Sequence, residues 1–152
     1  MKKNLILLST LTLLLASSCD SLSSNKGAID ISGKTKQEVF MLHGWELSSW
    51  IDSSFQDKYD NIEPCMKDDV YTFISTNQLE INTNTKCNPS DLPTQKQSWS
   101  MNDANDSKVT MFGFLWDISS MTGEQIILRR KYYYNFGGTT DYMYSKIVFK
   151  KH

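Results

Sequence analysis

Apolar and polar residues alternate along most of this chain. From Phe40 onward, apolar side chains recur at every second position, and turn-forming residues interrupt the pattern every eight to twelve residues. Successive side chains of a β-strand point to opposite faces, so alternation is typical of strands that bury one face and expose the other. Beyond the N-terminal segment 1–18, no run of ten or more residues has a clear helical period. The pattern predicts an all-β domain over residues 40–152.

Eight strands account for this alternation. We expect them at 41–51, 69–75, 78–83, 96–101, 107–112, 114–118, 124–134 and 140–150. The later strands are separated by segments rich in Asn, Asp, Gly and Thr, which are residues that favour turns. The segment 53–61 could form one short helix before Pro64.

Short antiparallel strands joined by short turns suit an up-and-down β-barrel, because closure of the sheet removes its exposed edges. The interior of an eight-stranded barrel is just wide enough for side chains or for one small ligand. We therefore expect an eight-stranded antiparallel up-and-down barrel. A two-sheet β-sandwich is the alternative that the same pattern allows.

The N-terminus has the composition of a signal peptide. Lys2 and Lys3 precede a twelve-residue apolar stretch, 5–16, which is too short to span a bilayer. Small residues then lead to Cys19, and this junction resembles the lipobox of bacterial lipoproteins. We expect cleavage after residue 18 and lipidation of Cys19, which would anchor the chain in the bacterial cell envelope, with the outer membrane favoured over the inner one. The alternative is a plain secretory signal followed by an unmodified cysteine.

A segment of different composition separates this leader from the alternating region. Residues 19–39 are rich in Ser, Gly, Lys and Asp and have little regular hydrophobic pattern. Such a composition is typical of a flexible linker. We expect residues 19–39 to form a tether between the lipid anchor and the domain.

Two cysteines remain when Cys19 carries a lipid. In the oxidising space outside the cytoplasm, Cys65 and Cys87 would normally form a disulfide. The loop that this bond closes has 23 residues, for which chain entropy gives a stabilisation of roughly 3 kcal/mol. The alternative is a two-cysteine metal site, but no histidine lies between the two cysteines. We expect the disulfide and no metal.

The charge and the scarcity of reactive residues exclude several function classes. Sixteen basic and seventeen acidic residues give a net charge of −1, and no basic block marks a nucleic-acid surface. With two histidines and three cysteines, the sequence offers no nucleophile, acid–base pair or metal cluster that can be assembled. His43 is a single imidazole with no paired Ser or Cys. We therefore expect neither an enzyme nor a bound cofactor.

Four sequence blocks carry a resemblance to a known family. They are Gly44-Trp45-Glu46-Leu47, Glu63-Pro64-Cys65-Met66-Lys67-Asp68-Asp69-Val70-Tyr71-Thr72-Phe73, Thr85-Lys86-Cys87-Asn88-Pro89 and Trp99-Ser100-Met101. Over roughly residues 42–150, this pattern resembles the lipocalin-like lipoprotein domain that is common in Bacteroidetes. The resemblance implies a calycin-like barrel of eight strands, a Cys65–Cys87 bridge and no assigned enzymatic activity.

Two pairs of adjacent charged residues place one member on each face of a strand. For Asp68 and Asp69, a bound calcium ion is one interpretation, and the end of a turn or contact with a lysine is the favoured one. For Arg129 and Arg130, the inward guanidinium could meet a ligand carboxylate. We expect it instead to close the barrel by stacking on Trp45.

The aromatic residues are the feature that points to a function. Alternation places Trp45, Tyr71, Phe73 and Trp99 together on the inward face. If space remains between them, the barrel would bind a small hydrophobic ligand. If the rings fill the interior, the protein would be a scaffold that contacts another protein of the envelope, which the sequence does not identify. We expect the ligand-binding protein and keep the scaffold as the alternative.

Overall fold

The computed structural model describes residues 29–53, 58–102 and 106–152. These residues contain one short α-helix, α1 (Lys36–Phe40), and ten strands. The strands are β1 (Trp45–Ser53), β2 (Lys58–Asp60), β3 (Val70–Phe73), β4 (Gln78–Asn82), β5 (Thr94–Ser98), β6 (Ser100–Met101), β7 (Lys108–Met111), β8 (Phe114–Met121), β9 (Gln125–Phe136) and β10 (Thr139–Lys151). A single 3-10 turn, Pro64–Met66, lies between β2 and β3.

All ten strands belong to one antiparallel sheet. Neighbouring strands follow the order β5-β4-β3-β1-β10-β9-β8-β7-β6, and β2 pairs with β1 outside this path. The prediction of an all-β antiparallel domain is therefore confirmed. The path has nine strands and is not closed by hydrogen bonds between its ends, β5 and β6, so it differs from the expected ladder of a closed eight-stranded barrel.

The two ends of the sheet follow one another in the chain. Trp99 alone separates β5 from β6. β5 pairs with β4, whereas β6 pairs with β7 through Ser100 and Thr110. At the junction, the backbone N–H of Trp99 donates to the carbonyl oxygen of Asn77 at 3.2 Å. The chain thus exchanges one partner strand for another at Trp99, and this exchange divides the predicted strand 96–101 in two.

Other differences from the predicted strands lie around β1. This strand begins at Trp45 rather than at 41, because α1 and its C-cap extend to Met41 and an irregular segment, 42–44, follows them. It continues to Ser53, and β2 returns antiparallel along its end, with Ile51 opposite Asp60. The short helix considered for 53–61 is therefore wrong for its described residues, which lie in the two strands or directly after β2. Residues 54–57 lie outside the described part.

A β-bulge in β1 inverts the alternation of that strand. Leu47 lies opposite Phe149 of β10, but the next pair is Ser49 with Val148, so Ser48 is an extra residue. The Ser48 hydroxyl donates to the carbonyl oxygen of Val148 at 3.1 Å. Residues after a bulge change face. Trp50 consequently points into the core, although strict alternation counted it as outward.

The core consists of the inward residues of the sheet together with Val39 and Phe40 of α1, Ile62 after β2 and Trp99 between β5 and β6. Three tryptophans are fully buried, and each indole N–H donates to a backbone carbonyl: Trp45 to Phe40, Trp99 to Ser75 and Trp116 to Met111, at 2.8, 2.8 and 3.1 Å. These bonds satisfy the polar edge of each buried ring. The rings are therefore held in one orientation by both packing and hydrogen bonding.

Helix α1 covers one end of this core. Its N-terminus has a capping box, in which the backbone N–H of Glu38 donates to the Thr35 hydroxyl and the Glu38 carboxylate accepts the Thr35 backbone N–H. Phe40 is fully buried, with its ring centroid 4.8 Å from that of Phe73 and 5.2 Å from that of Trp99. The last residues of the predicted tether 19–39 thus form a helix that packs on the sheet. Val39 and Phe40, the apolar pair at the end of α1, are too few to change the average composition of this polar segment.

We predict that Phe40→Ala lowers the free energy of unfolding by about 3–5 kcal/mol, the usual effect of truncating a fully buried phenylalanine. Urea unfolding followed by tryptophan fluorescence measures this change. Met41→Ala removes a neighbouring side chain that is 38% exposed, and we expect it to change the same quantity by less than about 0.5 kcal/mol. Equal small effects of the two substitutions would show that α1 does not complete the core.

Candidate functional site

A cavity of about 560 Å³ opens beside β3. Along this strand, Phe73 packs against Phe40 of α1, whereas Tyr71 and the preceding Asp69 line the cavity. The cavity therefore lies towards the end of the sheet away from α1. The interior has a packed end, at α1, and an open end, at the cavity.

The apolar part of the cavity wall is largely aromatic. It consists of Trp50, Met66, Tyr71, Ile81 and Phe112. The rings of Trp50 and Phe112 are stacked with their centroids 5.4 Å apart, and Tyr71 meets Phe112 edge-on at 6.1 Å. Stacked and edge-to-face rings support one another. The wall thus offers a preformed apolar surface to a molecule in the cavity.

Phe112 reaches this wall from an unfavourable backbone conformation. It forms the two-residue turn between β7 and β8 with Gly113, and both residues have positive φ, 54° and 76°. Such a turn favours Asn-Gly, and a bulky residue with positive φ is a genuine outlier that costs about 1–2 kcal/mol. The contacts of its ring with Trp50 and Tyr71 offset part of this cost. Strain of this kind is typical of ligand-binding and catalytic positions.

Asp69 is the buried carboxylate of the cavity. The residue is 6% exposed, and its Oδ1 atom has no hydrogen-bond partner among the described residues. Burial raises the pKa of this carboxyl, the charges of Asp68 and Asp91 raise it further, and a hydrogen bond from the Asn84 backbone opposes them. Asp69 and Asp91 both line the cavity. The site therefore holds a carboxylate that lacks the partners a buried charge requires.

Asp68 has a different environment from its neighbour. It is exposed, and its Oδ2 atom accepts the Thr85 hydroxyl at 2.6 Å. The Asp68 carboxylate therefore binds a loop while the Asp69 carboxylate faces the cavity. This arrangement agrees with the alternation expected for adjacent residues, and it does not form the paired carboxylates of the calcium interpretation.

Tyr71 is buried and lies close enough to the same carboxylate to feel its charge. Burial and the charge of Asp69 both raise the pKa of the Tyr71 phenol. The phenol is therefore protonated at neutral pH and contributes an apolar ring with a hydroxyl at its edge.

The structure separates the four aromatic residues that the sequence assigned to a ligand site. Trp45, Phe73 and Trp99 lie in the packed end of the core, where the rings of Phe73 and Trp99 are 4.7 Å apart. Of the four, Tyr71 lines the cavity. Ligand binding by any of the four residues stays a prediction. The position of the cavity favours Tyr71 and the other residues of the cavity wall for this role.

Sequence reasoning missed two members of the aromatic wall. Strict alternation from Trp45 places Trp50 on the outer face, and the bulge at Ser48 reverses this placement. The Ser48-Ser49 pair, which interrupts the alternation, is the sequence signal of that change. The predicted strand 107–112 ends at Phe112, whereas the structure places Phe112 in the turn. No residue pattern predicts a phenylalanine with positive φ, because the first position of such a two-residue turn usually holds Asn or Gly.

The inward arginine stacks, but not on the expected ring. The guanidinium of Arg130 lies 3.6 Å from the centroid of Phe114, 4.5 Å from that of Tyr132 and 5.1 Å from that of Trp116. The expectation that it would cover Trp45 is therefore wrong. The imidazole of His43 packs on Trp45 instead, with ring centroids 4.2 Å apart.

The predicted disulfide is present at the rim of the cavity. Cys65 and Cys87 are bonded, with their Cα atoms 5.3 Å apart, and the bond joins the 3-10 turn to the loop after β4. Glu63 lies near the two sulfur atoms. Both sulfurs belong to the disulfide, so they are not thiolates that could bind a metal. The metal alternative for these cysteines is therefore wrong.

Residues 1–28 lie outside the described part of the chain, and with them the predicted signal peptide 1–18 and the lipidation site Cys19. In the part that is described, no helix has the length and apolar character needed to cross a membrane. Comparison with protein-family models, with curated proteins and with solved structures gave no match to this chain.

We predict that Asp69→Asn raises the free energy of unfolding at pH 7 by roughly 1 kcal/mol, because it removes an incompletely paired buried charge. The folded-state pKa of Asp69 is raised, so ionisation destabilises the fold as the pH rises through that pKa. The gain should disappear at about pH 3, where the wild-type carboxyl is itself protonated.

Urea unfolding at both pH values measures this effect. Asp68→Asn is the matched control, since it removes the same charge one residue away and weakens the bond to Thr85. We expect no stabilisation from the control at pH 7. A lower stability of Asp69→Asn than of the wild type at pH 7 would contradict the prediction.

Proposed function

We propose that this chain is a lipid-anchored binding protein of the bacterial cell envelope that holds a small molecule with an apolar body in the cavity beside β3. The observation that carries the proposal is the cavity itself. Its volume of about 560 Å³ lies within the range of roughly 300–1,000 Å³ that is usual for small-molecule sites. Its aromatic wall matches the composition of such sites, and five polar residues, Asp69, Thr83, Asp91, Gln95 and Gln97, line the rest of it together with the disulfide.

The proposed architecture is a lipocalin-like barrel. β5 and β6 are separated by one residue, and counting them as one strand gives eight strands besides β2. This strand would have β4 on one side and β7 on the other, so the covalent chain would join the two ends of the sheet at Trp99. An eight-stranded barrel has room for one small ligand. The β-sandwich is the alternative arrangement of the same strands.

The proposed anchor is a lipid on Cys19. The apolar stretch 5–16 and the small residues before Cys19 support it. The Cys65–Cys87 disulfide supports export, because disulfides persist in oxidising compartments and are rare in the cytosol. Several acyl chains at one cysteine would give stable anchoring, with the outer membrane favoured over the inner one.

A scaffold that binds no ligand is the second candidate function. The packed end favours it, because Phe40, Phe73 and Trp99 leave no room for a ligand there. In that case the cavity would be an unoccupied cleft, and the outer face of the sheet would contact another envelope protein. Binding measurements at the open end distinguish the two candidates.

We predict saturable changes in tryptophan fluorescence when apolar molecules with neutral, anionic or cationic head groups are titrated into the protein. All four tryptophans are described, and of these Trp50 alone lines the cavity. The fluorescence change should therefore be lost in Trp50→Phe. It should be kept in Trp99→Phe, because Trp99 lies in the packed end of the core. Calorimetry on Trp50→Phe tests whether binding continues without the optical signal. Absence of binding across the whole panel by both methods would favour the scaffold.

We predict that growth with an alkyne fatty acid labels the wild-type protein and does not label Cys19→Ala. The thiol of Cys19 is the atom that would receive the lipid, and alanine offers no such atom. Gel fluorescence after coupling the alkyne to a dye measures the labelling. Cys65→Ala with Cys87→Ala is the control that should remain labelled. Label that persists in Cys19→Ala would disprove the anchor.

A further inference from the structure

We propose that the cavity selects an organic cation, an amine whose ammonium group pairs with Asp69 while its apolar body lies against Trp50 and Phe112. This inference rests on the proposed binding function and names the class of ligand. It follows from the charges, the burial and the rings at the open end of the core.

The charged residues of the cavity have one sign. Asp69 and Asp91 both line it, and all eleven lining residues belong to the described part of the chain. None of the eleven is lysine, arginine or histidine. A cleft lined by charges of one sign concentrates ligands of the opposite sign. Two carboxylates without a basic partner in the wall therefore attract a cation and repel the carboxylate form of an acid.

Asp69 gives this charge a defined position. More than nine-tenths of the residue is buried, and Oδ1 has no hydrogen-bond partner among the described residues. A buried carboxylate is expensive unless a charge or several donors compensate it. The raised pKa of Asp69 is consistent with a carboxylate whose negative charge is not balanced by a positive charge or by enough hydrogen-bond donors. An ammonium group carries one positive charge and up to three N–H donors, so it supplies both of the things that Oδ1 lacks.

The aromatic wall fits the rest of such a molecule. The rings of Trp50 and Phe112 are stacked, and the ring of Tyr71 meets that of Phe112 edge-on. Tyr71 follows Asp69 by two residues, and both line the cavity. Ring faces attract a nearby cation and bury an apolar body at the same time. The strained turn at Phe112 holds its ring in this wall. The Asp69 carboxylate would therefore pair with the ammonium end of one amphiphilic amine, and the aromatic rings would contact its apolar end.

The nearest inward guanidinium does not offer a site for the opposite class of ligand. Arg130 is stacked on Phe114 and Tyr132 and is not among the residues of the cavity wall. An acid in the cavity would meet Asp69 and Asp91 without a basic residue in the wall. Fatty acids are therefore expected to bind more weakly than amines of the same chain length.

Three probes that each contain eight carbon atoms and carry different head groups test this inference: n-octylamine, 1-octanol and n-octanoate. Each is titrated calorimetrically into the purified whole chain in phosphate buffer at pH 7, where the amine is an ammonium ion and the acid a carboxylate. We expect n-octylamine to bind at least about tenfold more tightly than n-octanoate, with 1-octanol between them.

Two variants assign the selectivity to Asp69. In Asp69→Asn, the preference for the amine over the acid should fall to within about threefold, while 1-octanol should still bind. Asp68→Asn removes the same charge from a side chain that binds Thr85 outside the cavity, and the tenfold preference should persist there. Saturable binding of 1-octanol also shows that Asp69→Asn is folded with its cavity intact.

The outcomes separate the two proposals. If none of the three probes binds, both the binding function and the cation selectivity are overturned. If the acid or the alcohol binds as tightly as the amine, the binding function stands and the selectivity is overturned. If Asp69→Asn keeps the full preference for the amine, the assignment to Asp69 is overturned.

Discussion

The packing of Phe40 against Phe73 and Trp99 decides where this domain can hold a ligand. The three rings lie within 5.2 Å of one another, centroid to centroid, and they fill the core beneath α1. Close-packed interiors leave no space for a further molecule. Tyr71, two residues before Phe73 on the same face, lies beyond this cluster and lines the cavity. β3 therefore contributes to both ends of the core: Phe73 packs in the closed cluster, and Tyr71 forms part of the cavity wall.

Alternation predicted most of the fold and part of the site. It identified the inward positions of Trp45, Tyr71, Phe73 and Trp99, all of which are buried. It failed where one residue changed the phase of a strand, as at the bulge of Ser48, and therefore missed Trp50. The Ser48-Ser49 pair interrupts the alternation, but whether an interruption is a bulge depends on the pairing of two strands that are distant in sequence.

The parts of the fold that sequence reasoning missed depend on tertiary contacts. Helix α1 has only five residues, and its stability comes from burying Phe40 and not from a long apolar period. The exchange of partner strands at Trp99 depends on where β4 and β7 lie. The unsatisfied Oδ1 of Asp69 likewise depends on the surrounding strands. The sequence indicated that one of two adjacent aspartates would face inward, but it did not indicate what that carboxylate would meet.

The open end contains two features that lower stability, and a covalent bond that raises it. Phe112 has a strained backbone and Asp69 lacks full compensation of its charge, and both face the same cavity. Locally unfavourable choices of this kind concentrate at functional sites, because a ligand supplies the interaction that the free protein lacks. The Cys65–Cys87 bond joins the rim without filling the cavity, since it restricts the unfolded chain and needs no core packing. The disulfide thus stabilises the rim around an unfilled cavity, whereas the aromatic cluster under α1 stabilises the packed end.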